Sequence, residues 1–187
     1  MGGRNSIMIG LLVTLFCEVV GLVVGLVAGY YGGTIDSVIM RIVDFVQILP
    51  QMPILIVLVT VLPNYNSMTL VLLISMFGWT VEARYYRSFI LSQRERDYVL
   101  ASKTSGSSNT KIMFREILPN IASMIIIDVV LSVSGNIGIE TVLSFIGYGL
   151  PTKIPSLGTL IGFANDPVNI IDRPWLWLPA TVVLLVI

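Results

Sequence analysis

Few residues of this sequence are equipped for covalent chemistry. The 187-residue chain has no histidine, which removes the commonest metal ligand and the usual acid–base catalyst at neutral pH. Its single cysteine, Cys17, lies in an apolar run with no base to activate it. No acidic pair stands at the spacing of metal ligands on a helix. The sequence therefore predicts no catalytic residue and no metal site, and it disfavours an intramembrane enzyme.

The basic residues are concentrated in one polar interlude, residues 84–120. It holds seven of the eleven Lys and Arg residues: Arg84, Arg87, Arg94, Arg96, Lys103, Lys111 and Arg115. Apolar sequence flanks it on both sides, and short basic loops between membrane spans mark the cytoplasmic face. We therefore expect residues 84–120 to be cytoplasmic. Spacing alone leaves open whether this loop has a further role or is a solvated segment that only fixes topology.

The middle of the interlude has the pattern of a short helix. Four small or aromatic residues fall at i, i+3, i+4 and i+7 and share one face: Tyr98, Ala101, Ser102 and Ser105. Gly106 follows, and glycine is favoured just past a helix end because it adopts positive φ without strain. Ser107, Ser108 or Asn109 would cap a second helix that continues through Glu116.

The composition indicates the class of protein. Hydrophobic residues make up 55% of the chain and charged residues 12%, whereas soluble domains carry about 25% charged residues. We therefore expect an all-α, polytopic membrane helical bundle that forms a single transmembrane domain over residues 1–187. The formal net charge of zero argues against nucleic acid as a partner.

About five apolar segments are expected to cross or enter the lipid bilayer: residues 7–28, 48–62, 68–89, 121–139 and a final run after Pro174. The second becomes long enough only if the amphipathic segment before it runs into it. Four-residue glycine spacings in the first, at Gly21, Gly25 and Gly29, permit close helix approach. Residues 145–174 are too polar to span, so we expect an extracytoplasmic loop with short helices.

Polar residues inside the apolar segments are candidates for a substrate path. Small and polar side chains cluster along the fourth segment and beyond, and suit a helix that lines a water-filled path: Asp128, Ser132, Asn136, Glu140 and Ser144. Packing between helices through small residues explains the small members equally well. For Asp128, and for Glu18 in the first segment, structural burial is the favoured interpretation.

Several stretches in order resemble one family. The cytoplasmic loop of permeases in binding-protein-dependent ABC importers usually contains Glu-Ala-Ala, three variable residues and Gly, followed by Ile-x-Leu-Pro. Here Ala101, Gly106 and residues 117–120 match, while Leu100 stands where the family usually has Glu and Ser102 where it has the second Ala. Further stretches at residues 29–33, 140–149 and 155–158 resemble the dipeptide, oligopeptide and nickel branch, specifically the second permease of the pair.

The resemblance implies a role for the short helix. In such permeases this loop docks on the ATPase, which would assign coupling to Asp97, Tyr98, Val99, Leu100, Ala101, Ser102, Lys103, Ser105 and Gly106. In the family a further membrane helix precedes the first segment seen here and the last helix continues, so the chain is expected to be truncated at both ends.

The resemblance also implies partners and a location. They are a second permease subunit, two ATP-binding subunits that hold ATP and Mg, and an extracytoplasmic substrate-binding protein, all in or at the cell membrane of a prokaryote. The chain itself would bind no cofactor and would be no enzyme. A non-ABC membrane channel or scaffold would explain the composition but not the ordered motifs, and no residue separates a peptide from nickel as substrate.

Overall fold

The structure is a computed structural model that describes residues 2–62, 65–151 and 153–187. These residues form helices and turns, with no strand among them. The α-helices are α1 Gly2–Tyr31, α2 Gly33–Ile48, α3 Gln51–Val61, α4 Ser67–Gln93, α5 Asp97–Thr104, α6 Asn109–Ile112, α7 Leu118–Asn120, α8 Ala122–Phe145, α9 Leu157–Gly162, α10 Pro167–Asp172 and α11 Leu178–Val186. The expected all-α membrane bundle is confirmed.

Two helices are long and apolar enough to cross a bilayer by themselves. α1 has 30 residues and α8 has 24, which corresponds to about 45 and 36 Å at the rise of an α-helix. α1 ends at Tyr31, because the next residue, Gly32, has a φ of 65° that interrupts the helical backbone. Within the described residues, length and composition thus support two spans, or three if α2 and α3 count as one.

α2 and α3 form a bent pair and not the continuous helix that the sequence left open. Their axes differ by 73°, with the break at Leu49 and Pro50. Leu49 is in the extended region, which is where the residue before a proline is driven by contact with the proline ring. The second apolar segment is therefore a broken element.

The remaining two expected segments are helical but differ in character. α4 has 27 residues, yet its second half carries Glu82, Arg84 and Arg87, so it is apolar only toward its start. α11 comprises nine residues. Residues 145–174 contain the predicted short helices, α9 and α10, and a 3₁₀ turn at Phe163–Asn165, while their place outside the membrane stays a prediction.

The chain divides into two compact units. The first contains Met1–Thr14, Gln51–Met76 and Leu131–Ile187, and its buried core is formed by Ile137, Leu157 and Ala180. In this unit Asn5 Nδ2 donates to the Pro155 carbonyl at 2.8 Å.

The second unit contains Leu15–Pro50 and Phe77–Val130 and therefore the whole basic interlude. Its core cluster consists of Leu26, Tyr30, Tyr86, Ile90, Val99, Ile112, Met113, Ile117 and Ile121. These residues come from α1, α4, α5 and the segment leading to α8. The predicted coupling helix α5 thus contributes to a core.

Candidate functional site

α5 is a short helix with well-defined ends. Asp97 lies in its first turn and Lys103 in its last, where each charge complements the helix dipole. After the last turn, Gly106 N donates to Lys103 O at 3.0 Å and Ser107 N donates to Ser102 O at 3.1 Å. This pair of bonds is the Schellman arrangement, and it places Gly106 at φ 78°. The predicted positive φ of Gly106, just past the end of the helix, is confirmed.

The predicted N-cap of the next helix is confirmed at Ser108. Its backbone is extended, and its side-chain oxygen accepts a hydrogen bond from Lys111 N at 3.4 Å. The second helix is not one continuous α-helix through Glu116, however. α6 ends at Ile112, and a π-helical turn spans Met113–Ile117.

Three residues of α5 face the body of the second unit. Val99 is fully buried, and Tyr98 is half-buried against the same core. The Tyr98 hydroxyl donates to Gln93 Oε1 at 3.0 Å, and burial raises the pKa of this phenol, which keeps it a neutral donor. Ser102 Oγ donates to Glu116 Oε1 at 2.5 Å. The Tyr98 side chain thus points inward, whereas Ala101 and Ser105, which the spacing grouped with it on one face, are exposed, because apolar burial of Tyr98 and Val99 turns that side toward the core.

The opposite side of α5 is open. Leu100 is 49% exposed, and Asp97 and Ala101 beside it are exposed as well, while Lys103 and Ser105 are exposed at the flanks of the buried side. An apolar side chain and a small one therefore lie side by side on the surface of a helix that is anchored from behind. Such a surface can accept a partner without rearrangement of the backbone.

α1 holds the loop from its last turn. The Tyr30 hydroxyl donates to Asn109 Oδ1 at 2.8 Å, and Lys103 Nζ lies 5.0 Å from the centre of the Tyr30 ring. Arg94 Nη1 donates to Gly29 O at 3.4 Å. Contacts on both sides of α5 thus fix it to the end of α1.

Two ion pairs fasten α2 to the charged half of α4. The Arg87 guanidinium binds both carboxylate oxygens of Asp36, with Nη2 2.5 Å from Oδ2, and its hydrogen bonds lower the pKa of Asp36. Arg84 pairs with Asp44 where both side chains are half-exposed. Two of the charged residues of α2, Asp36 and Asp44, therefore pair with a neighbouring helix.

The five path candidates on α8 fall into two groups. Asn136, Glu140 and Ser144 are buried, whereas Asp128 and Ser132 are partly exposed. Asn136 Nδ2 donates to Thr14 Oγ1 at 2.9 Å, and Ser144 Oγ donates to Glu140 Oε1 at 2.6 Å. The first group thus takes part in packing inside the first unit in this conformation. A role in lining a path stays a prediction.

Three acidic side chains converge in the second unit, which no pattern in the sequence predicted. One carboxylate oxygen from each of Glu18, Glu82 and Asp128 lies within 4.8 Å of the others, and the Tyr86 hydroxyl donates to Glu18 Oε2. Among the described residues, this is the set that could share a cation by geometry. The spacing of the glycines in α1 was the sequence feature that could have indicated this meeting, since it predicts a close helix neighbour. A Cβ at Gly21 would lie 2.4 Å from the Cβ of Glu82, so α1 and α4 are almost in backbone contact there.

Comparison with known proteins gives one consistent answer. Residues 21–187 match the family model described as the inner membrane component of binding-protein-dependent transport systems. The oligopeptide transport system permease protein OppC of Lactococcus lactis strain IL1403 is 50% identical over 187 residues, covering all of this chain and 64% of the relative. The dipeptide transport system permease protein DppC of Bacillus subtilis strain 168 is 34% identical over 182 residues, 96% of this chain and 56% of the relative.

The fold has a counterpart among solved structures. A chain of the MetNI methionine ABC transporter in an inward-facing conformation superimposes with a TM-score of 0.77 at 16% identity, covering 98% of this chain and 86% of that chain. The chain spans about two thirds of the length of the OppC relatives. The resemblance found in the sequence is confirmed, and this multi-pass membrane chain belongs to the family of inner membrane components of binding-protein-dependent transport systems.

Proposed function

We propose that this chain is a permease subunit of a binding-protein-dependent ABC importer, and that α5 is its docking point for an ATP-binding subunit. The observation that carries the proposal is the exposed side of α5, formed by Leu100 and Ala101, on a helix anchored through Val99, Ser102 and Lys103. A helix with one buried and one open side transfers a push on the open side to the elements behind it.

The proposed mechanism is a rigid-body transmission. Closure of the ATP-binding subunits displaces α5, and the displacement passes to α1 through the contact of Lys103 with Tyr30 and to the segment before α8 through the hydrogen bond of Ser102 to Glu116. The movements of α1 and α8 would then shift the helix bundle between two states, in which the substrate path opens to one side of the membrane or to the other. Ser132, partly exposed on α8, is our candidate for a residue that meets the path, whereas the Asp128 carboxylate faces Glu18 and Glu82.

The proposed assembly contains more than this chain. A second permease subunit completes the path, two ATP-binding subunits hold ATP and Mg, and an extracytoplasmic protein delivers the substrate. Residues 84–120 face the cytoplasm and residues 145–174 the outside of the prokaryotic cell membrane. Peptides are the proposed substrate class because the similar proteins OppC and DppC are described as oligopeptide and dipeptide permeases; nickel is the other substrate of the branch.

The test is co-purification of the ATP-binding subunit with the complete transporter. Ala101→Arg places a long cation on the exposed side of α5 and should lower both co-purification and substrate uptake. Ser92→Arg, exposed near the end of α4 and outside α5, is the matched control and should leave both unchanged. Wild-type co-purification and uptake for Ala101→Arg would overturn the proposal.

A further inference from the structure

The segment between α5 and α8 contains an unusual turn. From Asn109 to Asn120 the chain is helical, but Met113–Ile117 form a π-helical turn. There the backbone N–H donates to the carbonyl five residues back and not four, as Leu118 N does to Met113 O. π turns are rare, occur mostly as single turns within α-helices, and are frequently found at functional sites. Here the turn lies directly between the proposed docking helix and α8.

Pro119 explains why the turn is wide. Proline has no N–H, so the carbonyl of Arg115 cannot receive the usual bond from four residues ahead, and the proline ring would collide with that carbonyl in a regular α-helix. A π turn holds one more residue per turn than an α-helix, and this moves the Arg115 carbonyl away from the Pro119 ring. The π turn is thus the local response of the helix to Pro119.

Asn120 completes the arrangement with its side chain. Its Nδ2 donates to the Glu116 carbonyl at 2.7 Å, so a side-chain donor satisfies a carbonyl within the widened turn. Immediately afterwards the helix is interrupted at Ile121, where φ is −101° and ψ is 4°. α8 then begins at Ala122, so the segment joins two helices through a discontinuity.

Side chains of the π turn contact α5, the proposed docking helix. Glu116 accepts the 2.5 Å hydrogen bond from Ser102 of α5, and Met113 and Ile117 are buried in the same core as Val99. A displacement of α5 therefore reaches this turn through side chains that touch both. On its other side the turn continues directly into α8, which carries Asp128.

We propose that Met113–Ile121 is a hinge between α5 and α8, and that Asn120 is the positioning residue that fixes its hydrogen-bond register. When α5 moves, the turn changes between the wide π register and a tighter one, and α8 rotates about the interruption at Ile121. The Asn120 amide bonds the Glu116 carbonyl in the wide register and releases it in the other. This inference rests on the proposed docking role of α5.

The test uses the complete transporter with spin labels at Thr104→Cys and Ile127→Cys in a Cys17→Ala background. Both labelled positions are exposed, one on α5 and one on α8. The distance between them should change on ATP binding when Asn120 is present. Asn120→Asp keeps the size of the side chain but removes its N–H donor, and should abolish the change in distance. Asn120→Gln restores a donor and should recover part of it.

Transport efficiency gives the second readout. In Asn120→Asp, co-purification of the ATP-binding subunit should remain at wild type, while substrate transported per ATP hydrolysed should fall by roughly 2- to 30-fold. A label distance that responds to ATP equally in wild type and Asn120→Asp, or does not respond in wild type, would overturn the hinge. Loss of co-purification in Asn120→Asp would also overturn it, since Asn120 would then serve only the shape of the docking site.

The two proposals fail in distinguishable ways. If Ala101→Arg releases the ATP-binding subunit but the label distance is insensitive to Asn120, docking stands and the hinge is wrong. If Ala101→Arg leaves co-purification and uptake intact, docking at α5 itself is wrong, and the hinge falls with it.

Discussion

Gly25 of α1 lies directly against Ala83 of α4: a Cβ on Gly25 would be 2.7 Å from the Ala83 carbonyl oxygen and 3.0 Å from Arg87 N. These neighbours are backbone atoms, which cannot move aside as a flexible side chain can. The two helices therefore approach as closely as they do because residue 25 has no side chain.

Gly25→Ala should destabilise the folded protein for this reason. We expect a loss of about 1–3 kcal/mol in the free energy of unfolding, as for overpacked interiors, measured as a lower unfolding midpoint in detergent. Gly135→Ala on α8 is the matched control, since a Cβ there meets nothing within 4 Å. It should be neutral or stabilising by about 0.5–1 kcal/mol. Equal behaviour of the two variants would contradict the close approach.

Gly106→Val should strain the end of α5 without creating a clash. The residue has φ 78°, and a Cβ there would meet nothing within 4 Å, so the cost comes from the backbone conformation alone. We expect about 1–2 kcal/mol for a β-branched residue and weaker ATP-driven uptake by the transporter. Gly106→Asn should be milder, because asparagine tolerates this region. If valine and asparagine behave alike, the Schellman end of α5 does not control docking.

The Asp36–Arg87 pair should contribute to stability in a pH-dependent way. The pKa of Asp36 is lowered from its ordinary value of 3.8, chiefly by hydrogen bonds from Arg87. A depressed folded pKa means that the contribution is complete above the unfolded pKa and is lost as pH falls through the folded one. The stability difference between wild type and Asp36→Asn should therefore be constant near neutral pH and shrink only below about pH 4.

The Asp44–Arg84 pair supplies the control for that experiment. Both of its side chains are half-exposed, so solvent screens the attraction. Asp44→Asn should cost less stability at neutral pH than Asp36→Asn. A larger loss for Asp44→Asn, or a pH-independent loss for Asp36→Asn, would show that the bidentate pair is not what fastens α2.

Membrane orientation can be tested by cysteine labelling in intact cells. We expect Ser107→Cys to be protected from an impermeant reagent added outside, and Asn165→Cys to react, because the clustered basic residues place the first inside. Cys17 can remain as an internal control, since it is buried. Reaction at residue 107 with protection at residue 165 would reverse the topology.

Local patterns in the sequence were enough to predict several features. Gly106 and Ser108 act through their own backbone and side chain within a few residues, so their roles could be derived from spacing. The glycine spacing likewise predicted the close approach of α1, although not its partner. The ordered motifs carried the family assignment because they span most of the chain.

Features that depend on tertiary packing could not be derived in the same way. The periodicity of α5 grouped Tyr98 with Ala101, but only the core around Val99 decides that Tyr98 points inward. The meeting of Glu18 with Asp128 joins residues more than a hundred positions apart, and no local pattern encodes it. The π turn follows from Pro119, yet a proline inside a helix can also kink or end it, so the sequence did not specify this outcome.

The most direct test of the docking role of α5 is photo-cross-linking in the complete transporter. A photoreactive amino acid in place of Leu100, which is 49% exposed, should form a covalent adduct with the ATP-binding subunit. The same residue in place of Phe163, exposed in the predicted extracytoplasmic region, should form none. Absence of the adduct at Leu100, in complexes from which the ATP-binding subunit still co-purifies, would contradict docking through α5.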